Sequence, residues 1–174
     1  ITVHPHIPRK ARDDHSIAYT PGVARSCWAI AKDKSASFNL TIRKNTVAVV
    51  SDGSAILGIG NLGPEAAMPV MEGKAQLFKE FAGVDAFPLC IDVHDVEGIV
   101  SFFKAVAPTF VGINLVYIAA PKCFAISRRL NAPFDIPVFH HHQPRTSLVT
   151  LPSPPYPSHI VTLHLASLQL LVSV

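Results

Sequence analysis

Cysteine, charge and long apolar runs are all scarce in this chain, and each shortage excludes something. The three cysteines, Cys27, Cys90 and Cys123, are odd in number, far apart, and form no CxxC or CxxH spacing. That excludes a disulfide scaffold or a zinc ribbon and reads as reduced, packing thiols of a cytoplasmic protein. Charged residues make up 16% of the chain, the formal net charge is +3, and basic residues nowhere cluster with aromatics between them. A nucleic-acid partner is therefore excluded. No stretch reaches the ~18 uninterrupted apolar residues a membrane span needs; the nearest, Ile160 to Val174, is broken by His164 and Gln169. The start lacks the basic-then-apolar pattern of a secretory signal. It begins at Ile1 rather than Met, which reads as a processed chain or a fragment. What remains is an interior-rich composition, 49% hydrophobic over 174 residues, enough for one buried domain with a small appendage.

The most informative stretch is Thr46 to Gly83. Thr46-Val47-Ala48-Val49-Val50 is a β-branched run that reads as a buried strand, and it breaks at Ser51-Asp52-Gly53. Glycines follow at 53, 58, 60 and 63. Pro64 is suited to a first helical turn, where its missing N–H costs nothing. The helix after it places Met68, Met71, Ala75, Leu77 and Phe78 on one expected buried side, with Lys74 inside the run.

Around this stretch, residues 1–14 read as an extended lead-in, and Gly22–Lys32 as a helix with Val23, Cys27 and Ile30 on one side, ending in a polar tract. Further strands are expected at 86–93, 110–115 and 136–140, with helices following Asp95 and over 121–130. Strands alternating with helices give an α/β fold: a parallel sheet with flanking helices, preceded by a short helical N-terminal segment. Residues 143–159 hold five prolines and no period, and 160–174 are apolar and uncharged. This tail, 143–174, reads as foreign to the domain before it.

In a parallel sheet, ligands collect beyond the carboxyl ends of the strands. Those ends are Asp52-Gly53, Val93-His94, Val116-Tyr117 and His141-His142, expected to line one crevice. Gly58-Ile59-Gly60-Asn61-Leu62-Gly63 matches the GxGxxG dinucleotide pattern, but it does not leave the strand directly. The alternative is a loop whose glycines let the backbone approach a small ligand, with Asn61 as a polar contact. Lys74, among apolar neighbours, can lose its charge more easily than a solvated lysine and act as a base. Tyr19 is a phenol beside a rigid Pro21-Gly22 turn. For a metal, only Asp52 and Asp92 offer carboxylates near the strand ends. His140, His141 and His142 alternate faces on a strand and cannot all chelate one ion.

The segments AYTPGVA (18–24), NTVAVVSDGSAILGIGNLGPEAAMPVMEGKAQLFKEFAGVDAFPLCID (45–92), APTFVGINL (107–115), AP-x-CF (120–124) and IPVFH (136–140) closely resemble the N-terminal domain of the bacterial malic enzymes. The resemblance defines a domain over 15–142. It implies oxidative decarboxylation of (S)-malate to pyruvate and carbon dioxide, with NAD or NADP, a divalent Mg or Mn, and a homo-oligomeric assembly in the intact enzyme. By position it implies Lys74 as general base, Tyr19 as general acid, and Asn61 in a substrate-side loop. It also implies that the nucleotide fingerprint proper belongs to a C-terminal domain, which has no counterpart here. The family's metal ligands fall at positions occupied by Val116, Tyr117 and His142, where it has Glu, Asp and Asp. Valine offers no ligand and histidine suits softer metals. The chain alone is thus expected to be inactive and to bind no cofactor tightly. The alternative reading is a non-catalytic, truncated or frameshifted remnant of a malic enzyme.

Overall fold

A computed structural model describes residues 12–130 and 136–140. Four strands, β1 (Thr46–Ser51), β2 (Asp85–Cys90), β3 (Gly112–Leu115) and β4 (Val138–His140), form one sheet in the order β2-β1-β3-β4. Every pairing is parallel. The expected α/β parallel architecture is therefore what the chain adopts. The β-branched run of β1 takes a central place because it is apolar on both faces: Ala48, Val49 and Val50 are all fully buried.

The two faces are covered unequally. Ala48, Val50, Ile113 and Leu115 meet Ile99 and Phe103 of α5 (Val96–Val106) and Ile126 and Leu130 of α6 (Lys122–Leu130), forming the larger core. The opposite face buries Val49 and Val116 with Ile56 and with Ala67 and Met71 of α4 (Pro64–Ala82). Local signals set these boundaries. Pro64 opens α4, and Gly83 closes it in the left-handed region, its N–H bonded to the Lys79 carbonyl at 3.0 Å. The Asp95 carboxylate accepts from the Gly98 N–H at 2.7 Å and so caps α5.

Several expectations are corrected here. The buried line of α4 is Ala67, Met71 and Ala75, while Met68 and Leu77 are 37% and 52% exposed. Alanines at the contact points bring the helix close to the sheet, and that turns Met68 and Leu77 outward. Helix α1 (Arg12–Ala18) begins inside the stretch read as an extended lead-in, whose residues 1–11 lie outside the described part, as does the tail 143–174. Helix α2 (Ala24–Lys32) buries no residue, so Cys27 is exposed and is not a packing thiol. The polar tract after it forms short helical turns and α3 (Ser37–Leu40). Asp33 caps one turn by accepting from the Ser35 N–H at 2.9 Å, and Thr41 caps another by accepting from the Arg43 N–H at 3.1 Å.

Among the described residues β4 is an edge strand paired only with β3, and Val138 and Phe139 are half-buried. Val49, by contrast, lies between two strands and under α4. We expect the Val49 amide to exchange with deuterium about a hundredfold or more slowly than those of Val138 and Phe139. Equal protection at the three sites, measured by NMR, would contradict this ordering.

Candidate functional site

The strand order reverses between β1 and β3: the chain leaves β1 to build β2 on one side, then crosses back to build β3 on the other. The crevice above this point is where a doubly wound sheet collects ligands. A polar clasp occupies it. Asp52, the first residue past β1, is fully buried. Its Oδ1 accepts from the Ser54 hydroxyl at 2.6 Å and the Ser54 N–H at 3.1 Å. Its Oδ2 accepts from the Lys122 ammonium at the start of α6. His94 stands between two carboxylates, with Nδ1 4.0 Å from Asp52 Oδ2 and Nε2 3.2 Å from Asp92 Oδ1.

The loop of residues 52–63 is bound into the same clasp. The Ser54 hydroxyl accepts from the Ala119 N–H at 2.9 Å, and the Ala55 N–H donates to the Tyr117 carbonyl at 3.1 Å. Gly53 takes φ 70°, and a Cβ there would lie 2.0 Å from the Gly63 carbonyl oxygen, so the two ends of the loop touch backbone to backbone. Ile56 plugs the interior, whereas Leu57, Ile59 and Leu62 are more than half exposed at 56%, 67% and 52%. The clasp thus joins three of the four strand ends expected to share one crevice, those after β1, β2 and β3; His141 and His142 lie outside the described residues.

The remaining named residues distribute as follows. Asn61 is exposed in the loop. Lys74 is half-buried on α4, between buried Met71 and Ala75. Tyr19 lies on the surface turn between α1 and α2, 62% exposed, and its carbonyl accepts from the Val23 N–H at 2.8 Å. Val116 is almost fully buried, and Tyr117 takes a left-handed φ of 55° where the chain leaves β3. Burial pushes the Cys90 thiol up, with the Glu65 carboxylate adding to it, and burial likewise pushes up that of Cys123. Both pack against the sheet, Cys123 within the larger core and Cys90 against the smaller one. The Asp52–Lys122 pair was not read from the sequence; the only signal for it was an aspartate directly after a strand, next to a crevice.

A parallel sheet with a polar clasp and a glycine loop at its switch point defines a doubly wound α/β domain, the topology in which ligands collect at this end of the strands. Comparison with known proteins is more specific. Residues 2–131 match the family model of the malic enzyme N-terminal domain, and the chain belongs to the malic enzyme family. It is 61% identical over 151 residues to the NAD-dependent malic enzyme of Geobacillus stearothermophilus, covering 87% of this chain and 32% of that protein. It is 55% identical over 138 residues to the bifunctional malic/malolactic enzyme of Bacillus subtilis, covering 79% of this chain and 34% of the other. The crystal structure of the NAD-dependent malic enzyme of Thermotoga maritima superposes with a TM-score of 0.79 at 52% identity, over 80% of this chain and 39% of that one. The chain therefore spans about a third of the length of these relatives.

The donors present do not suit the divalent ion that the family resemblance implies. Val116 packs with Val49, Ile56, Ala67 and Met71 and has no donor atom. The Asp52 carboxylate is already held on both oxygens, by Ser54 and by Lys122. Among the described residues no group of three His, Cys, Asp or Glu side chains is placed to hold a metal. The glycine loop is equally unsuited to cradle a dinucleotide pyrophosphate. A long loop separates β1 from α4, and Pro64 at the first helical position has no N–H to offer.

Proposed function

We propose that this chain is a malic-enzyme substrate domain that keeps the proton-handling side of the site and has lost the metal side. In the whole enzyme the reaction is oxidative decarboxylation of (S)-malate to pyruvate and carbon dioxide, with NAD or NADP and a divalent Mg or Mn ion. The observation that carries this reading is the contrast between Lys74 and Val116. The lysine sits half-buried on α4 beside buried Met71 and Ala75, while the residue past β3 is a buried valine. In this role Lys74 takes the proton from the malate hydroxyl and Tyr19 returns one to the enol carbon left after carbon dioxide departs. Asn61 belongs to the substrate-side loop. Val116, Tyr117 and His142 stand where the metal would need carboxylates.

Self-association, or association with intact subunits, is part of the same reading. The apolar side chains left uncovered on α1 and α2, with Ile17 75% and Trp28 67% exposed, support it. A cytoplasmic location is supported by three free thiols. Among the described residues, no helix is long and apolar enough to cross a membrane.

The purified chain, given (S)-malate, either nicotinamide nucleotide and Mn, should reduce no nucleotide beyond a Lys74→Ala control. Turnover above that control would refute the reading, and so would tight, malate-dependent Mn binding by calorimetry.

A further inference from the structure

The sheet ends on one side at β2, and that side is open. Among the described residues β2 pairs only with β1. Its side chains enter both cores: Phe87 and Leu89 pack against the larger, Ala86 and Cys90 against the smaller. Yet every residue of β2 stays partly exposed, whereas all of β3, with a strand on each side, is buried. Solvent therefore reaches β2 along its outer backbone. Such an edge is a template to which another strand can add.

The ladder decides which groups lie on that edge. The Ile91 N–H donates to the Ser51 carbonyl at 2.9 Å. Ser51 is in register with Cys90, Val49 with Pro88 and Val47 with Ala86. Alternate residues of a strand turn their backbone groups to the same neighbour. Asp85, Phe87, Leu89 and Ile91 therefore face β1, while Ala86, Pro88 and Cys90 face outward. Pro88 has no N–H, and this outward position is the one a strand can give to a proline without breaking its own ladder. It also stands in the middle of the outward set, between the donors of Ala86 and Cys90.

The residues around it make an open edge hazardous. Ala86-Phe87-Pro88-Leu89-Cys90-Ile91 carries no charge and alternates large apolar side chains at 87, 89 and 91. Without its proline, this is the composition of a segment that stacks on copies of itself. A symmetric antiparallel pairing of two such edges sets Ala86 opposite Cys90 of the second copy and Pro88 opposite Pro88. In a hydrogen-bonded pair each residue supplies one N–H. The centre of that pairing would therefore lose both of its bonds and hold two rings between the strands.

We propose that Pro88 guards the β2 edge, keeping a second copy of this chain from adding to the sheet there. The self-association read from α1 and α2 is a separate surface, so the test follows the edge amides and not the mass of the assembly.

Quenched hydrogen exchange read by NMR follows soluble and aggregated chain alike. In the wild type the Ala86 and Cys90 amides should exchange fast, and equally so at micromolar and millimolar concentration, while the Ile91 amide is protected. Pro88→Val restores the missing donor on a β-branched residue. It should slow exchange at Ala86 and Cys90 about tenfold or more at the higher concentration and leave it fast at the lower. Wild-type protection of these two amides that grows with concentration overturns the proposal. So does a folded Pro88→Val chain in which it does not grow. Should the valine variant fail to fold, Pro88→Ala supplies the same N–H with less bulk, and it decides together with the wild-type measurement.

Discussion

Replacing Lys122 by methionine is expected to cost the domain about 3–5 kcal/mol, the usual range when one partner of a buried ion pair is removed. The magnitude follows from the other partner. Asp52 is fully buried, and its remaining contacts, two from Ser54 and a long one from half-exposed His94, replace little of what the ammonium supplies. Lys122 itself is 20% exposed, so the reciprocal change is milder. Asp52→Asn frees a cation that can turn towards water and leaves an amide that still accepts from Ser54. The double variant Asp52→Asn/Lys122→Met should therefore be more stable than Lys122→Met alone. Urea unfolding followed by far-ultraviolet circular dichroism measures all three. A Lys122→Met variant within about 1 kcal/mol of the wild type would mean that Asp52 is not held in the way described here.

The second large effect is expected at Gly53. A methyl group there would lie 2.0 Å from the Gly63 oxygen and 2.2 Å from its carbonyl carbon, both backbone atoms that no rotamer change can move. The left-handed φ of 70° adds about 1–2 kcal/mol for any residue with a Cβ. Gly53→Ala should therefore lose more than about 4 kcal/mol, a large part of the stability of an ordinary domain. Gly58 is the internal control. Its φ is 77° in the same loop, but an added Cβ there meets nothing within 4 Å. Gly58→Ala should show the backbone term alone, about 1–2 kcal/mol. If the two variants unfold at the same urea concentration, the close approach of Gly53 to Gly63 is not what shapes the loop.

These two effects also show what could be read from the residues and what could not. Strand β1 was legible because a β-branched run ending at Asp52-Gly53 has few other solutions, and α4 because Pro64 and Gly83 mark its two ends. The helical turns between 34 and 45 were missed. They are held by side-chain caps from Asp33 and Thr41 and have no apolar period to reveal them. The placement of Met68 and Leu77 inside was wrong for a related reason. Helical spacing identifies a stripe, but the alanines at 67 and 75 decide which part of it can approach the sheet. For the proposed site, the family resemblance pointed to Lys74, Asn61 and Tyr19 by sequence position. The partnership of Asp52 with Lys122 spans a separation of 70 residues and exists only because two crossovers bring the ends of β1 and β3 together.

The uncovered α2 has a practical consequence. Trp28 is the only tryptophan in the chain, and it stands on that helix with 67% of its surface in solvent. The indole is remote from the sheet cores it would be asked to report on: no sheet residue shares a buried cluster with α2. Intrinsic fluorescence is therefore a gauge of the N-terminal helices, and quenching or a blue shift of its emission signals a neighbour settling on them. An indole already 67% in solvent gains little exposure on unfolding, so fluorescence and far-ultraviolet circular dichroism report different parts of the molecule.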